Sequence, residues 1–343
     1  MINDLDNDPW GTGYKIVSKK LKSPRSYDGN AISNEETIEA IRNLFPVHPK
    51  NTWNTPEINP DEIPQITKNE ILNATKKLKP NKSPGPDRIP QILVKLFVSN
   101  NVEKVQAMIN TLMKTSTFPL DWKRARLVLI AKAKKKPTDP KKYRPICILN
   151  SFSKIFEYIL QERLMNYVTL SDNQFGFRKQ RSTTHAMKKL VEIYENNKKV
   201  PYDKRKMLCI IGIDIRNAFN SLRWKDIIRE LKKQKVPDYL IAVMQNYLQD
   251  RYVESGELVF ETTAGSFQGS VIGPLLWNIV YDPIVRSKTS PHAEKLAYAD
   301  DMLKVLITQN KETLLQDSEN ITKQTKKKLK KEDYQWKIRR QSL

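Results

Sequence analysis

The stretch Leu208-Cys209-Ile210-Ile211-Gly212-Ile213-Asp214 joins an unbroken apolar run to an acidic residue at its end. A short run that is apolar on both faces is typical of a strand buried inside a sheet. Asp214 comes where this strand is predicted to end, so its side chain is expected to emerge at the edge of the sheet. An acid in such a run needs compensation for its charge, and a divalent metal ion supplies it well.

A second stretch, Leu296-Ala297-Tyr298-Ala299-Asp300-Asp301-Met302-Leu303, places two acids between apolar runs. The runs predict the strands of a tight hairpin with Asp300 and Asp301 at its turn, although Asp-Asp is not a preferred two-residue turn. If this hairpin neighbours the strand that ends at Asp214, three carboxylates meet at one point. Two Mg²⁺ ions held there would activate a hydroxyl and stabilise a leaving oxygen, as in phosphoryl transfer.

An alternative interpretation of the acids needs no metal. Asp214 would cap the following element, and Asp300-Asp301 would form a solvated turn. Either segment taken alone favours this interpretation, and the remaining motifs of the chain favour the metal site.

Composition narrows the class of protein. The 343 residues suffice for one large or two modest domains, and a net charge of +22 indicates a polyanionic partner. Nucleic acid is the first candidate, with an anionic membrane surface as the alternative. No apolar run approaches the roughly 18 residues of a membrane span, and the acidic N-terminus is not a signal peptide. Cys147 and Cys209 lie in apolar segments and are predicted to be core residues in a reducing compartment.

Local patterns predict several elements around these motifs. Two capping boxes, Ser33 with Glu36 and Thr67 with Glu70, predict helix starts. Farther along, a predicted strand at residues 126–130 leads through a basic loop to a second strand. Two strands joined by such a loop form a finger that could close over a triphosphate, since Lys and Arg both bind phosphate.

Five motifs in one order resemble those of reverse transcriptases. Tyr298-Ala299-Asp300-Asp301 resembles the signature tetrad of that family, and Asp214-Ile215-Arg216-Asn217-Ala218-Phe219 resembles its first palm motif. The other three are similar to the palm motif between these two and to the upstream finger motifs: Gln268-Gly269-Ser270-Val271-Ile272-Gly273-Pro274-Leu275-Leu276-Trp277-Asn278, Gln174-Phe175-Gly176-Phe177-Arg178 with Arg181-Ser182-Thr183, and Tyr143-Arg144-Pro145-Ile146.

The pattern is most similar to non-LTR (LINE-type) retrotransposons of the Jockey-like insect group. Asp8-Pro9-Trp10-Gly11, followed by Tyr14-Lys15-Ile16-Val17, resembles the segment just upstream of the polymerase in those elements. The resemblance covers roughly residues 5–308.

The resemblance implies an α/β (α+β) fold. It would be a right-hand polymerase palm with fingers, its mostly antiparallel palm sheet packed on helices, without a recognisable thumb. The implied domains are an N-terminal extension and Pro-rich connector at 1–66, the reverse transcriptase domain at 67–310, and a basic C-terminal tail at 311–343. Because of its charge, the tail is predicted to be a short basic helix or a disordered arm.

The implied function is that of an RNA-directed DNA polymerase, a nucleotidyltransferase that adds dNTPs to a primer 3′-OH by two-metal phosphoryl transfer. The implied partners are an RNA template, a DNA primer and dNTPs, with no membrane. Endonuclease and thumb functions would be absent from this chain. The implied location is the nucleus, with the cytoplasm as a second location, and the chain would be neither secreted nor bound to a membrane.

The resemblance also assigns site residues. Asp214, Asp300 and Asp301 would be the catalytic and metal-binding residues, for two Mg²⁺ ions or alternatively Mn²⁺. Lys132 and Arg144 would hold the nucleotide's phosphates, Phe219 would exclude a ribose 2′-OH, Gln268 and Gly269 would line the nucleotide pocket, and Tyr298 would pack near the primer end. Taken by itself, Phe219 also fits an ordinary core residue.

The chain departs from the family pattern in three places. Asn220 stands where Asp is usual, and Phe267 stands where Pro is usual before the Gln-Gly pair. The third departure is the charged tail, which would leave the grip on the primer–template duplex weak. A truncated, catalytically weak or inactive retroelement remnant that binds nucleic acid is therefore the alternative function. The intact acids argue against a binding module without catalysis, and Phe219 with Ala299 disfavours an RNA-templated RNA polymerase.

Overall fold

The computed structural model describes most of the chain from Ser33 onward and divides it into two compact units. The first unit contains residues up to 163, with 237–263 and 267–271, and the second contains 164–236, 264–266 and 272 onward. The described residues are 33–132, 139, 142–287, 290, 292–331 and 335–342, with the backbone alone described at 216, 328, 330–331 and 335–342. The upstream Asp8-Pro9-Trp10-Gly11 motif and most of the predicted basic loop, Lys134 to Lys136 included, lie outside these residues.

The described residues form a mixed α/β fold. The helices are α1 (Asn34–Leu44), α2 (Lys68–Lys76), α3 (Gln91–Asn100), α4 (Val102–Lys114), α5 (Ser151–Met165), α6 (Thr183–Lys198), α7 (Trp224–Lys233), α8 (Asp238–Leu248), α9 (Gly273–Arg286) and α10 (Lys311–Lys331). The strands are β1 (Arg124–Ala131), β2 (Tyr143–Ile148), β3 (Met207–Arg216), β4 (Arg251–Ser255), β5 (Leu258–Thr262), β6 (Ala293–Tyr298), β7 (Asp301–Thr308) and β8 (Gln335–Ser342). Single 3₁₀ turns lie at Pro60–Glu62, Leu120–Trp122 and Tyr202–Lys204.

The first unit contains a four-stranded sheet in the order β2-β1-β4-β5. The pairs β1–β2 and β4–β5 are antiparallel, whereas β1 and β4 are parallel. Buried side chains of α1, β1 and β2 form one core cluster that also includes Phe267. The predicted strand pair is confirmed for β1 and β2, whereas most of the basic loop between them lies outside the described residues.

The second unit contains a four-stranded sheet in the order β6-β7-β3-β8, and every pair in it is antiparallel. One face carries Leu208, Leu296 and Val305, which pack with apolar residues of α6. Helix α10 packs against β7 and β3. The central strand β3 is therefore covered by helices, as its unbroken apolar run predicts.

The chain after Asn310 differs from the expectation of a disordered arm. Residues 311–331 form α10, which is the helical alternative, and β8 was not predicted. The buried positions of α10 are Ser318, Ile321, Thr322, Thr325 and Leu329, which repeat at helical spacing. Three of them are hydroxyl residues, so the buried face lacks a clear apolar pattern in the sequence.

Two local predictions are confirmed at the helix starts. The capping boxes at Ser33/Glu36 and Thr67/Glu70 are both complete: in each pair, the side chain of either residue accepts a hydrogen bond from the backbone N–H of the other. Among the described residues, no helix has both the length and the apolar composition that crossing a bilayer requires.

The two thiols are expected to resist modification in the folded protein. Cys147 and Cys209 are both buried, and burial raises the pKa of the Cys147 thiol to about 12. Because the thiolate is the reactive form, a disulfide-exchange reagent should label neither residue in native buffer and both after denaturation. Stoichiometric labelling of the native protein would contradict the burial of these side chains.

Candidate active site

The register of β3 and β7 places two of the predicted acids opposite each other. Asp214 pairs with Asp301, and the pairing continues through Gly212 with Leu303 and Ile210 with Val305. Directly opposed residues of an antiparallel pair point to the same face of the sheet. The carboxylates of Asp214 and Asp301 therefore lie on the face that α6 covers, at the end of that face.

The turn between β6 and β7 differs in detail from the predicted hairpin. The predicted turn contained both acids, whereas the observed turn contains Ala299 and Asp300, and Asp301 is the first residue of β7. Ala299 has a φ of +56°, the left-handed conformation that L residues adopt at a cost. The acid pair is thereby divided, with one carboxylate on the turn and the other on the strand.

Side chains from distant parts of the second unit hold this turn. Trp277 Nε1 donates a hydrogen bond to the Ala299 carbonyl oxygen at 3.1 Å, and Gln174 Nε2 donates to the same oxygen at 3.3 Å. Gly176 lies so close to Ala299 that an added Cβ would be 2.1 Å from the Ala299 nitrogen. Such surroundings fix a strained backbone in one conformation.

The segment that contains Gln174 is itself fastened to the hairpin. Phe175 N donates to the Ala297 carbonyl oxygen at 2.8 Å, and Ala297 N donates to the Asn173 carbonyl oxygen at 2.7 Å. Asn278 Nδ2 of α9 donates to the Gly176 carbonyl oxygen at 2.9 Å. Three sequence motifs thus meet at the acidic turn.

The electrostatics of the acids favour a cation. Burial raises the pKa of Asp300, and the negative charges of Asp301 and Asp214 raise it further. A partly buried carboxylate beside two others matches the oxygen ligands that hard divalent ions prefer. In the described part of the chain, however, no three Asp, Glu, His or Cys side chains converge on one point as a ready metal-holding group.

An open cavity of about 510 Å³ adjoins the two opposed acids. Asp214, Tyr298 and Asp301 line it together with Thr183 and Met187 of α6. Its walls are mostly apolar side chains and strand backbone, and Met187 is 55% exposed. The carboxylates are therefore open to a ligand that also offers apolar surface.

Phe219 lies in an aromatic row next to the turn. After β3, Asn217 has a φ of +53°, and Asn220 N donates to its carbonyl oxygen in a tight turn that carries Phe219. The Phe219 ring is 5.8 Å from the Phe177 ring and 6.1 Å from the Trp277 ring, between centroids. Phe219 is half-buried, so one part of its ring stays open to a ligand.

Asn220, next to Phe219, is enclosed by neighbouring residues. Asn220 is 1% exposed, and its backbone lies within 3.0 Å of where a Cβ on Gly265 would be. Ser266 N donates to the Phe219 carbonyl oxygen at 2.7 Å. The position is thus enclosed and contributes to packing.

Four predicted nucleotide-binding residues belong to the first unit. Lys132 N donates to the Lys142 carbonyl oxygen at 2.9 Å, just beyond the β1–β2 ladder, and Arg144 pairs with Ile130 within it. Lys132 and Arg144 are exposed. Gln268 is half-buried, its carbonyl oxygen accepts from Cys147 N at 2.8 Å, and Gly269 is exposed with a φ of +128°.

The predicted site residues therefore fall into two groups. Asp214, Phe219, Tyr298, Asp300 and Asp301 come together in the second unit, where Tyr298 is 38% exposed and pairs with Asp301. The other four, Lys132, Arg144, Gln268 and Gly269, lie in the first unit.

The sequence interpretation missed the residues that position the turn. Trp277, Gln174 and Asn278 had been quoted only as parts of motifs, without individual roles. Each is buried and hydrogen-bonds a backbone oxygen of Gly176 or Ala299. The available signal was that all three residues belong to the two motifs that resemble those of the family.

The sequence matches a known protein family. Residues 132–339 match the family described as "Reverse transcriptase (RNA-dependent DNA polymerase)". The match includes every site residue named above.

Several curated insect proteins are similar to the chain. The "Probable RNA-directed DNA polymerase from transposon BS" of Drosophila melanogaster is 31% identical over 70% of this chain and 28% of its own length. The "Putative 115 kDa protein in type-1 retrotransposable element R1DM" of the same organism is 26% identical over 92% of this chain and 31% of its own length. The "RNA-directed DNA polymerase from mobile element jockey", also of Drosophila melanogaster, is 27% identical over 62% of this chain and 24% of its own length. The chain thus spans less than a third of the length of these relatives.

Gly176→Ala is expected to destabilise the acidic turn. The added methyl group would collide with the backbone of Ala299, and overpacking of this kind costs about 1–3 kcal/mol. Thermal or denaturant unfolding of the variant measures the loss.

A matched control for this variant is Gly256→Asn. Gly256 has a φ of +60°, which Asn tolerates, and a Cβ there meets no atom within 4 Å. An equal loss of stability in both variants would show that the contact with Ala299 is not what constrains Gly176.

Proposed function

Because the chain belongs to the reverse transcriptase family, we propose that it is the polymerase part of an RNA-directed DNA polymerase encoded by a non-LTR retrotransposon. The observation that carries this proposal is the placement of Asp214 opposite Asp301, with Asp300 on the adjoining turn. The printed names of the relatives support the assignment to retrotransposons.

The three acids would hold two Mg²⁺ ions, or alternatively Mn²⁺. When bound, these ions lower the pKa of the primer 3′-OH and neutralise charge on the phosphates. The role of the chain is to present Asp214 and Asp301 on one face of a rigid sheet and to fix Asp300 on a constrained turn. Positioning and charge stabilisation account for most catalysis of phosphoryl transfer.

The remaining predicted residues would bind the incoming nucleotide and the primer. Lys132 and Arg144 would contact phosphate oxygens. Both side chains are exposed, Lys132 just after β1 and Arg144 on β2, so a phosphate can reach them. Gly269 would allow close approach of the backbone beside Gln268. Tyr298, half-open at the cavity, would pack near the primer end.

The proposed function assigns the two sheets to subdomains of a polymerase. The sheet β6-β7-β3-β8 would be the palm, and the pair β1–β2 would belong to the fingers. The reverse transcriptase domain would begin at residue 67, after the extension at 1–66, and the boundary at residue 310 stays a prediction. The positive charge of the chain would bind the phosphates of the RNA template and DNA primer, and this binding would weaken as salt concentration rises. The proposed location is the nucleus.

Primer extension on an RNA template with dNTPs and Mg²⁺ tests the proposal. Asp214→Ala and Asp300→Ala are each expected to reduce incorporation about a thousandfold, because metal-ion catalysis contributes several kcal/mol. Binding of the primer–template, measured by fluorescence anisotropy, should stay close to wild type.

Two outcomes of this experiment would contradict parts of the proposal. Loss of both incorporation and binding in the variants would count against the metal-binding role of the acids. A wild type that folds and binds RNA without extending a primer would favour the truncated remnant.

Phe219→Ala tests the selection of the sugar. The half-buried ring next to Trp277 is expected to block a ribose 2′-OH, so its removal should raise ribonucleotide incorporation relative to deoxynucleotides. A pocket built on steric exclusion gives about 10- to 200-fold discrimination for a small group, which sets the size of the expected change. Competition between dNTPs and rNTPs measures it, with Phe177→Ala as the control for loss of a neighbouring ring. Unchanged selectivity in Phe219→Ala would exclude the gating role.

A further inference from the structure

The loop Phe267–Val271 in the first unit is held tightly against β2. Cys147 N donates to the Gln268 carbonyl oxygen at 2.8 Å, and a Cβ on Gly269 would lie 2.2 Å from the Cys147 carbonyl oxygen. Ser270 N donates to the Phe267 carbonyl oxygen at 3.0 Å, which closes a turn around the Gln-Gly pair. Small displacements of this loop are therefore resisted by β2 on one side.

A buried carboxylate holds the other side of the loop. Glu157 on α5 is fully buried, and its Oε2 accepts hydrogen bonds from Val271 N at 2.5 Å and Ser270 Oγ at 3.0 Å. Its Oε1 accepts from the Tyr247 hydroxyl at 3.2 Å, and that hydroxyl is 3.0 Å from Ser270 Oγ. A single side chain from α5 thus connects the end of the loop to α8.

Arg251 fixes the beginning of the same loop. Its side chain is 1% exposed, and the guanidinium carbon lies 4.3 Å from the centroids of both the Tyr247 and the Phe267 rings. Nη1 donates to the Tyr247 carbonyl oxygen at 3.1 Å. The cation between two rings therefore anchors Phe267, at the position where the family pattern implied by the resemblance has Pro.

The surroundings of Glu157 offset part of the cost of burying its charge. Burial raises the pKa of Glu157, while the Arg251 charge and the hydrogen bonds from Val271, Ser270 and Tyr247 act in the opposite direction. A buried carboxylate that loses these donors would be left without compensation, which is costly. Loop conformations that break the contacts are accordingly disfavoured.

We propose that Glu157 is a positioning residue for nucleotide binding, which holds Gln268 and Gly269 in their binding conformation together with the Arg251–Phe267 contact. This proposal rests on the proposed polymerase function. The residues named in it contact the loop and not the nucleotide itself.

Single-nucleotide incorporation with varied dNTP concentration tests the proposal. Glu157→Ala is expected to raise the KM for dNTP by about tenfold or more, the cost of losing hydrogen bonds to a buried charged group, with kcat changed much less. Glu157→Gln should restore most of the affinity. Its amide oxygen can accept from Val271 N and Ser270 Oγ, and its NH₂ group can donate to the Tyr247 hydroxyl.

A destabilised control separates positioning from general loss of stability. Ile109→Ala removes a buried side chain from α4 in the same unit, and Ile109 has no hydrogen bond to the loop. It should lower the unfolding temperature without raising the KM for dNTP. An equal KM increase in Ile109→Ala, or no increase in Glu157→Ala, would overturn the proposal.

Amide hydrogen exchange of the peptide that contains residues 267–271 tests the same proposal without catalysis. Exchange should accelerate in Glu157→Ala, remain near wild type in Glu157→Gln, and be unaffected in Ile109→Ala. If the wild type extends no primer, the proposed function fails while the exchange data still decide whether Glu157 holds the loop. Unchanged exchange in Glu157→Ala would overturn the positioning role even in an active enzyme.

Discussion

The register between β3 and β7 is the constraint on which the candidate active site depends. Side chains alternate between the two faces of a strand, so a slip of one residue would move Asp214 to the opposite face from Asp301. The apolar pairs farther along the same strands, Leu208 with Ile307 and Ile210 with Val305, pack with α6 and resist such a slip. The hydrophobic core of the second unit thereby specifies the placement of charged groups at its end.

Much of this arrangement could be predicted from short patterns. The apolar run before Asp214, the hairpin around the acids and the two capping boxes all follow from local residue order. The sequence could not predict which acid lies on the turn and which on the strand. That placement depends on the left-handed backbone of Ala299, which is held by hydrogen-bond donors from Gln174 and Trp277. Those side chains are distant in sequence, and no local propensity contains their effect.

Two other features could not be predicted from the sequence, for two different physical reasons. The buried face of α10 contains Ser318, Thr322 and Thr325. Each hydroxyl group donates a hydrogen bond to a backbone carbonyl oxygen in the preceding turn of the helix, so these polar side chains can be buried without an unpaired donor. The contact that anchors Phe267 was missed because Arg251 lies on β4, a separate element. A contact between residues on different elements can be recognised only in the folded structure.

The packing of α10 against β7 has a consequence for the smallest fragment of the protein that can be expected to remain soluble. Lys304 of β7 is a buried residue of this contact. Its amine donates to Thr325 Oγ1 of α10, and Leu306 lies on the same face of β7. A fragment that ends at the last residue of β7 would retain both strands of the acidic hairpin but expose this face of the sheet to water. Such a fragment would expose an apolar surface that promotes aggregation. Expression boundaries for crystallography should therefore be drawn beyond Leu329.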